Sequence, residues 1–197
     1  MQKSYLFDLI SVVRGVLDEN ELPVIVGSQS IFAQTEDPPR VVRESRECDF
    51  LLFGGKSVER DRINSDYGVF SPFADEKGYY ADALGLASVV LPTGWEDRLI
   101  PLYDTEGKIV ARCLDRYYLA ASKIAAGRPK DIEFLADAFE SGLLSVDDFL
   151  GRTLLVKDKL ENDALRERFE RLLKHVNSST PRSESVTAIR DFVKQIF

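Results

Sequence analysis

Histidine is almost missing from this chain: His175 is the one example among 197 residues. That excludes a His-rich metal site and any mechanism needing two histidines, so catalysis must rest on carboxylates, hydroxyls, lysine or arginine. Cysteine is nearly as scarce. Cys48 and Cys113 stand far apart, form no CxxC pair and fall in runs that read as buried strand. Two reduced core thiols in a cytoplasmic protein are therefore expected. Long apolar runs are lacking too, since none approaches the ~20 residues that cross a bilayer. Met1-Gln2-Lys3-Ser4-Tyr5 carries no basic stretch followed by an apolar one, so no secretory leader is expected. Nor is there an excess of positive charge: 26 Lys+Arg against 33 Asp+Glu give a net −7. Non-specific affinity for nucleic acid is mostly phosphate neutralisation, so this balance argues against a protein that coats nucleic acid, though not against a local basic patch.

What is present suits an ordinary globular fold. The chain is 44% hydrophobic and 30% charged, and at this length folding buries roughly 70% of the unfolded surface without a disulfide or metal staple. Leu6, Leu9, Ile10, Val13, Val16 and Leu17 recur at helical spacing and predict an opening amphipathic helix. Val24-Ile25-Val26 reads as a short buried strand stopping at Gly27, after which Ser28 is placed to cap a short helix. A loop with Pro38-Pro39, Arg40, Arg43 and Arg46 leads to the strongest strand, residues 48–53, closed by Gly54-Gly55. Residues 56–64 read as an exposed helix, and 79–84 and 88–92 as two further strands. A hairpin follows over 99–103 and 108–113, with Pro101 confining its first arm to a sheet edge.

Beyond Leu114 the pattern becomes helical. Asp115 is placed to cap a helix ending near Gly127, Pro129 starts another ending at Gly142, and Ser145 opens a third. A stripe from Leu160 to Val176 continues the pattern, residues 177–183 read as a turn-rich break, and a last helix covers about 184–196. The expected organisation is α+β: a mixed sheet flanked by helices over 1–114, then a helical region over 115–197.

Four features carry possible chemistry. Gly27-Ser28 joins a strand to a helix start, where free backbone N–H groups and the Ser28 hydroxyl suit phosphate oxygens; a purely structural turn has the same form. Glu47 and Asp49 are two apart on a strand and project to one side. Such a pair repels unless a cation such as magnesium joins it, or else both simply face water. Asp82, in an otherwise apolar strand, could add a third carboxylate if its strand adjoins that of Asp49, as two-metal phosphoryl or nucleotidyl transfer requires. Lys123, Arg128 and Asp131 gather charge at a helix–helix junction, either to neutralise phosphates or as caps and solvated charge.

Val24-Ile25-Val26-Gly27-Ser28-Gln29-Ser30, followed by Glu47-Cys48-Asp49-Phe50-Leu51-Leu52, resembles the signature of the DNA polymerase beta-type nucleotidyltransferase superfamily, a Gly-Gly or Gly-Ser turn before an Asp-x-Asp strand. The strings 113–123 and 126–131, with Leu91-Pro92-Thr93-Gly94-Trp95, are similar to its minimal bacterial branch, which includes relatives of abortive-infection toxins of type IV toxin–antitoxin systems. The resemblance covers about residues 20–155. It implies a magnesium-dependent enzyme moving a nucleoside monophosphate from a nucleoside triphosphate to an acceptor, RNA or protein. It assigns nucleotide binding to Gly27, Ser28, Ser30 and Arg128, metal ligation to Glu47, Asp49 and Asp82, and catalysis to Asp82, Lys123 and Asp131.

One departure is Glu47, a methylene longer than the aspartate of the pattern, which leaves open a weakened or non-catalytic binding protein on the same fold. A toxin acting on tRNA, held by a protein antitoxin, is a third reading. Its RNA-facing patch would draw on Arg152, Lys157, Lys159, Arg166, Arg168, Arg171 and Lys174, whose ordinary role is a solvated helix face.

Overall fold

The computed structural model describes residues 1–179 and 184–197. The chain divides into two compact units, one formed by 1–89 with 96–115 and the other by 90–95 with 116–197. The fold is α+β.

The first unit is built on a five-stranded mixed sheet. Its strands are β1 (Val24–Ile25), β2 (Glu47–Leu51), β3 (Tyr80–Leu84), β4 (Leu99–Tyr103) and β5 (Ile109–Leu114), in the spatial order β3-β2-β1-β5-β4. β2 runs parallel to β3 and β1 parallel to β5, while β1–β2 and β4–β5 are antiparallel. Alternation sorts the side chains by face. Cys48, Phe50, Ile25, Ala81, Ala111 and Cys113 are all fully buried, whereas Glu47, Asp49, Tyr80 and Asp82 are half-buried on the opposite face. Helix α1 (Lys3–Arg14) buries Leu6, Leu9, Ile10 and Val13 as its spacing predicts.

Pro101 does lie on an edge strand, where its missing N–H costs no ladder bond. At the other edge, α3 (Ser57–Tyr67) closes β3 with one side chain. Asn64 donates from Nδ2 to the Ala83 carbonyl at 3.0 Å and accepts from the Ala83 N–H at 2.7 Å, which mimics a neighbouring strand and blunts the edge.

Several boundaries differ from expectation. Residues 88–92 form no strand: Leu86–Ser88 is a 3-10 turn, and Val90 packs on Ala121, Ala125 and Val156 in the second unit. Tertiary packing outweighs the β-propensity of the two valines there. The arginine loop contains a short helix, α2 (Arg40–Glu44), entered from Pro39 and closed by an Arg40–Glu44 ion pair at 3.0 Å. The segment after Gly27 is a 3-10 helix over Ser28–Ala33 whose cap position is Gly27, not Ser28. Helix α4 (Pro72–Lys77) was not anticipated, although Ser71 accepts from the Ala74 N–H at 3.1 Å, Pro72 sits in its first turn and Gly78 ends it at φ 79°, each a standard boundary signal.

The second unit is helical: α5 (Arg116–Ala126), α6 (Pro129–Glu140), α7 (Val146–Lys157), α8 (Asn162–Ser179) and α9 (Glu184–Ile196). Ala121 and Ala125 keep the surface of α5 small where Val156 of α7 meets it. A chain of rings, Phe139–Phe149–Phe169–Phe192, packs within this unit at centroid spacings of 5.2 to 6.0 Å. The break expected over 177–183 begins later, because α8 runs on to Ser179; the remaining four positions lie outside the described residues. Among the described residues no helix is long and apolar enough to cross a membrane.

Candidate functional site

The Gly-Ser turn and the acidic strand meet. Because β1 and β2 pair antiparallel, with Val24 opposite Leu51 and Ile25 opposite Phe50, the next residues along come together, and the Val26 N–H donates to the Asp49 carbonyl at 3.0 Å. The Asp49 carboxylate then lies directly against the backbone of Gly27, where a Cβ would overlap it. Gly27 has φ −89°, an angle open to any residue. Glycine is needed here for space alone.

Asp82 faces Asp49 across the parallel β2–β3 pair, at matching register positions, where neighbouring strands are about 4.8 Å apart. Glu47 lies one pleat earlier, opposite Tyr80, and its Oε2 accepts a hydrogen bond from the Tyr80 hydroxyl at 3.1 Å. Sequence reasoning missed Tyr80; its signal was the two-residue spacing to Asp82, which puts both on one face. The structure thus brings Gly27, Asp49 and Asp82 together and places Glu47 beside them. Among the described residues, no three His, Cys, Asp or Glu side chains are gathered into a group that could hold a metal ion by themselves.

The electrostatics of this face are negative. The Tyr80 phenol is pushed up to about 12, first by burial and then by the charge of Glu47 and its hydrogen bond, with Asp82 and Asp49 adding to it. On the opposite face the Cys48 thiol is raised well above its ordinary value, chiefly by burial and next by Asp49; Cys113 is pushed up to about 12 by burial. Both thiols are free, buried and protonated, so neither is a nucleophile.

The donor set fits magnesium. That ion takes oxygen ligands, binds through one or two carboxylates together with substrate phosphates, and keeps several waters. Asp49 and Asp82 would provide the carboxylate oxygens, and the charges of Glu47, Asp82 and Asp49, which add to the effect of burial on Tyr80, are ones a divalent cation would offset. Ser28 is half-buried beside Gly27, whereas the Ser30 side chain is fully enclosed and its hydroxyl has no hydrogen-bond partner among the described residues.

Lys123, Arg128 and Asp131 belong to the second unit and form one cluster there. Asp131 is completely buried. It accepts from Lys123 Nζ at 3.0 Å and from Arg128 Nε at 2.7 Å and Nη2 at 3.2 Å, and the Arg128 N–H reaches it at 3.3 Å. Burial alone would raise its pKa, but the Arg128 hydrogen bonds and the Lys123 charge outweigh burial and hold the carboxyl below its usual value. Lys123 also sits 4.6 Å from the centre of the Phe134 ring, and Arg128 is 60% exposed. Gly127 ends α5 at φ 63°, and the Arg168 side chain crosses it, with Cδ 2.6 Å from where a Cβ would be, to donate to the Ala125 carbonyl.

Other basic residues of the α7–α8 region are engaged locally. Arg152 lies over the Tyr118 ring at 5.8 Å. Lys159 donates to the Leu91 carbonyl at 2.7 Å, and Arg166 pairs with Glu170 at 3.3 Å.

A family profile described as "Nucleotidyltransferase of unknown function (DUF6036)" matches residues 4–173. No curated protein and no solved structure matches the chain.

Proposed function

The chain belongs to that family of nucleotidyltransferases of unknown function, and from this premise we propose that it transfers a nucleoside monophosphate from a nucleoside triphosphate to an acceptor hydroxyl, with magnesium as cofactor. The observation that carries the reading is the Asp49 carboxylate lying on Gly27 beside the register-paired Asp82. A Gly-Ser turn supplies N–H donors for phosphate oxygens, and an adjoining acidic pair supplies oxygens for a divalent cation.

In the proposed reaction Ser28 and the backbone at the start of the 3-10 helix hold the triphosphate. Asp49 and Asp82, with Glu47 beside them, would hold magnesium, which when bound neutralises phosphate charge. The acceptor oxygen forms a bond to the α-phosphorus as the α–β anhydride bond breaks, and pyrophosphate leaves with the bonding electrons. Asp82 takes the acceptor proton. Tyr80, by bonding Glu47, orients that carboxylate toward the same face. Lys123 and Arg128 keep Asp131 ionised within the helical unit.

RNA and protein are both proposed acceptors, in a cytoplasmic setting, and a toxin role with a protein antitoxin is one physiological form this transfer would take. The test is incubation of the purified protein with each α-labelled nucleoside triphosphate, magnesium, and total RNA or total protein. Label transfer that Asp49→Asn abolishes is expected. No transfer with any of the four nucleotides, together with no magnesium-dependent thermal shift on adding nucleotide, would overturn the reading.

A further inference from the structure

A cavity of about 390 Å³ lies in the first unit where β1 begins and β2 ends. Leu22, Val24, Leu51, Leu99 and the half-exposed ring of Phe53 form its walls. The volume falls within the range of small-molecule sites, and such sites pair apolar walls with a few placed polar groups. Two charged residues line it, Glu21 and Arg112. They are not equivalent.

Glu21 is already committed, because Lys56 bonds it while also reaching Asp18 at 3.2 Å. Arg112 is held in place by its backbone: its N–H donates to the Pro23 carbonyl at 2.9 Å, and it pairs with Val24 across β1–β5. Its side chain is exposed and makes no hydrogen bond or ion pair among the described residues. An apolar cavity lined by one unengaged cation selects a ligand with an apolar body and one anionic end. None of Gly27, Ser28, Glu47, Asp49, Tyr80 or Asp82 lines this cavity, so binding here is read independently of nucleotide transfer.

We propose that this cavity binds a medium-length aliphatic monocarboxylate, with its chain among Leu22, Val24, Leu51 and Leu99 and its carboxylate on Arg112. Titration calorimetry of the full chain with hexanoate, octanoate and decanoate, and with octanol as the uncharged control, tests it. Affinity should rise about four-fold per added methylene, the increment for burying one such group. Arg112→Gln should weaken octanoate about ten-fold or more and leave octanol unchanged. Leu99→Trp, which fills the cavity, should abolish both. Arg112 is a surface residue, so its variant decides the matter even if Leu99→Trp does not fold. Absence of binding at millimolar concentration, affinity indifferent to chain length, or an octanoate affinity that Arg112→Gln leaves unchanged would each overturn the proposal.

Discussion

The Asp49 carboxylate occupies the space that any side chain at Gly27 would need. The glycine of the strand-to-helix turn therefore serves the acidic strand as much as any ligand. Gly27→Ala is expected to cost about 1–3 kcal/mol, the usual range for overpacking a tight site, and to displace the carboxylate. Adding Asp49→Ala should restore most of the lost stability, a coupling that a double-mutant cycle in urea denaturation measures. Strict additivity of the two substitutions would disprove the contact.

Asp131 sets an acid limit on the helical unit. Its folded pKa is depressed, so its contribution is present above the unfolded carboxyl value, about 3.9, and is lost as pH falls through the lower folded value. Asp131→Asn should remove this acid-dependent loss and, by leaving the largely buried Lys123 ammonium unpaired, cost about 3–5 kcal/mol at neutral pH. Thermal melts of both proteins between pH 2 and 7 give the comparison; parallel curves would contradict it.

The alkaline side is set by tyrosine. Tyr79 is buried, stacked on Tyr5 at a centroid distance of 4.5 Å, and donates to Asp8 at 2.7 Å. Burial first, and then the bond to Asp8, push its phenol up to about 12. A raised folded value means that its stabilisation is complete below the unfolded value near 10 and declines as pH rises from there through about 12. Tyr79→Phe should flatten the fall in stability over that window, as read by denaturant midpoints at successive pH values.

The two bonds from Asn64 to Ala83 predict a local effect. Asn64→Ala should cost about 1 kcal/mol and selectively speed amide hydrogen exchange at Ala83, which then loses its acceptor on the open edge of β3. Unchanged exchange at that amide would mean that the edge is closed by something else.

Periodicity and turn chemistry determined most of the element list. The α1 stripe, the hairpin with Pro101 on an edge, and the Gly127-Arg128-Pro129 boundary all follow from local rules, because each rests on spacing or on one residue's backbone preference. Two-residue alternation likewise made it legible that Glu47 and Asp49 share a face. Residues 88–92 depart from the expected strand because an apolar β-branched run is equally good as a strand or as a packing surface, and Val90 serves the second use against Ala121 and Ala125.

What only the tertiary structure decided is pairing. That β3 lies parallel to β2 in the register placing Asp82 against Asp49, that Tyr80 thereby meets Glu47, and that Gly27 is a seat for a carboxylate depend on contacts between residues far apart in the chain. The same holds for Asp131: the helix-start cap expected of it is present in the Arg128 N–H bond, but the side chain is sealed beneath Lys123 and Arg128 rather than solvated. Local pattern specifies which way a side chain points along its own element; the neighbour it meets depends on strand order and register, and those come from burying the whole core at once.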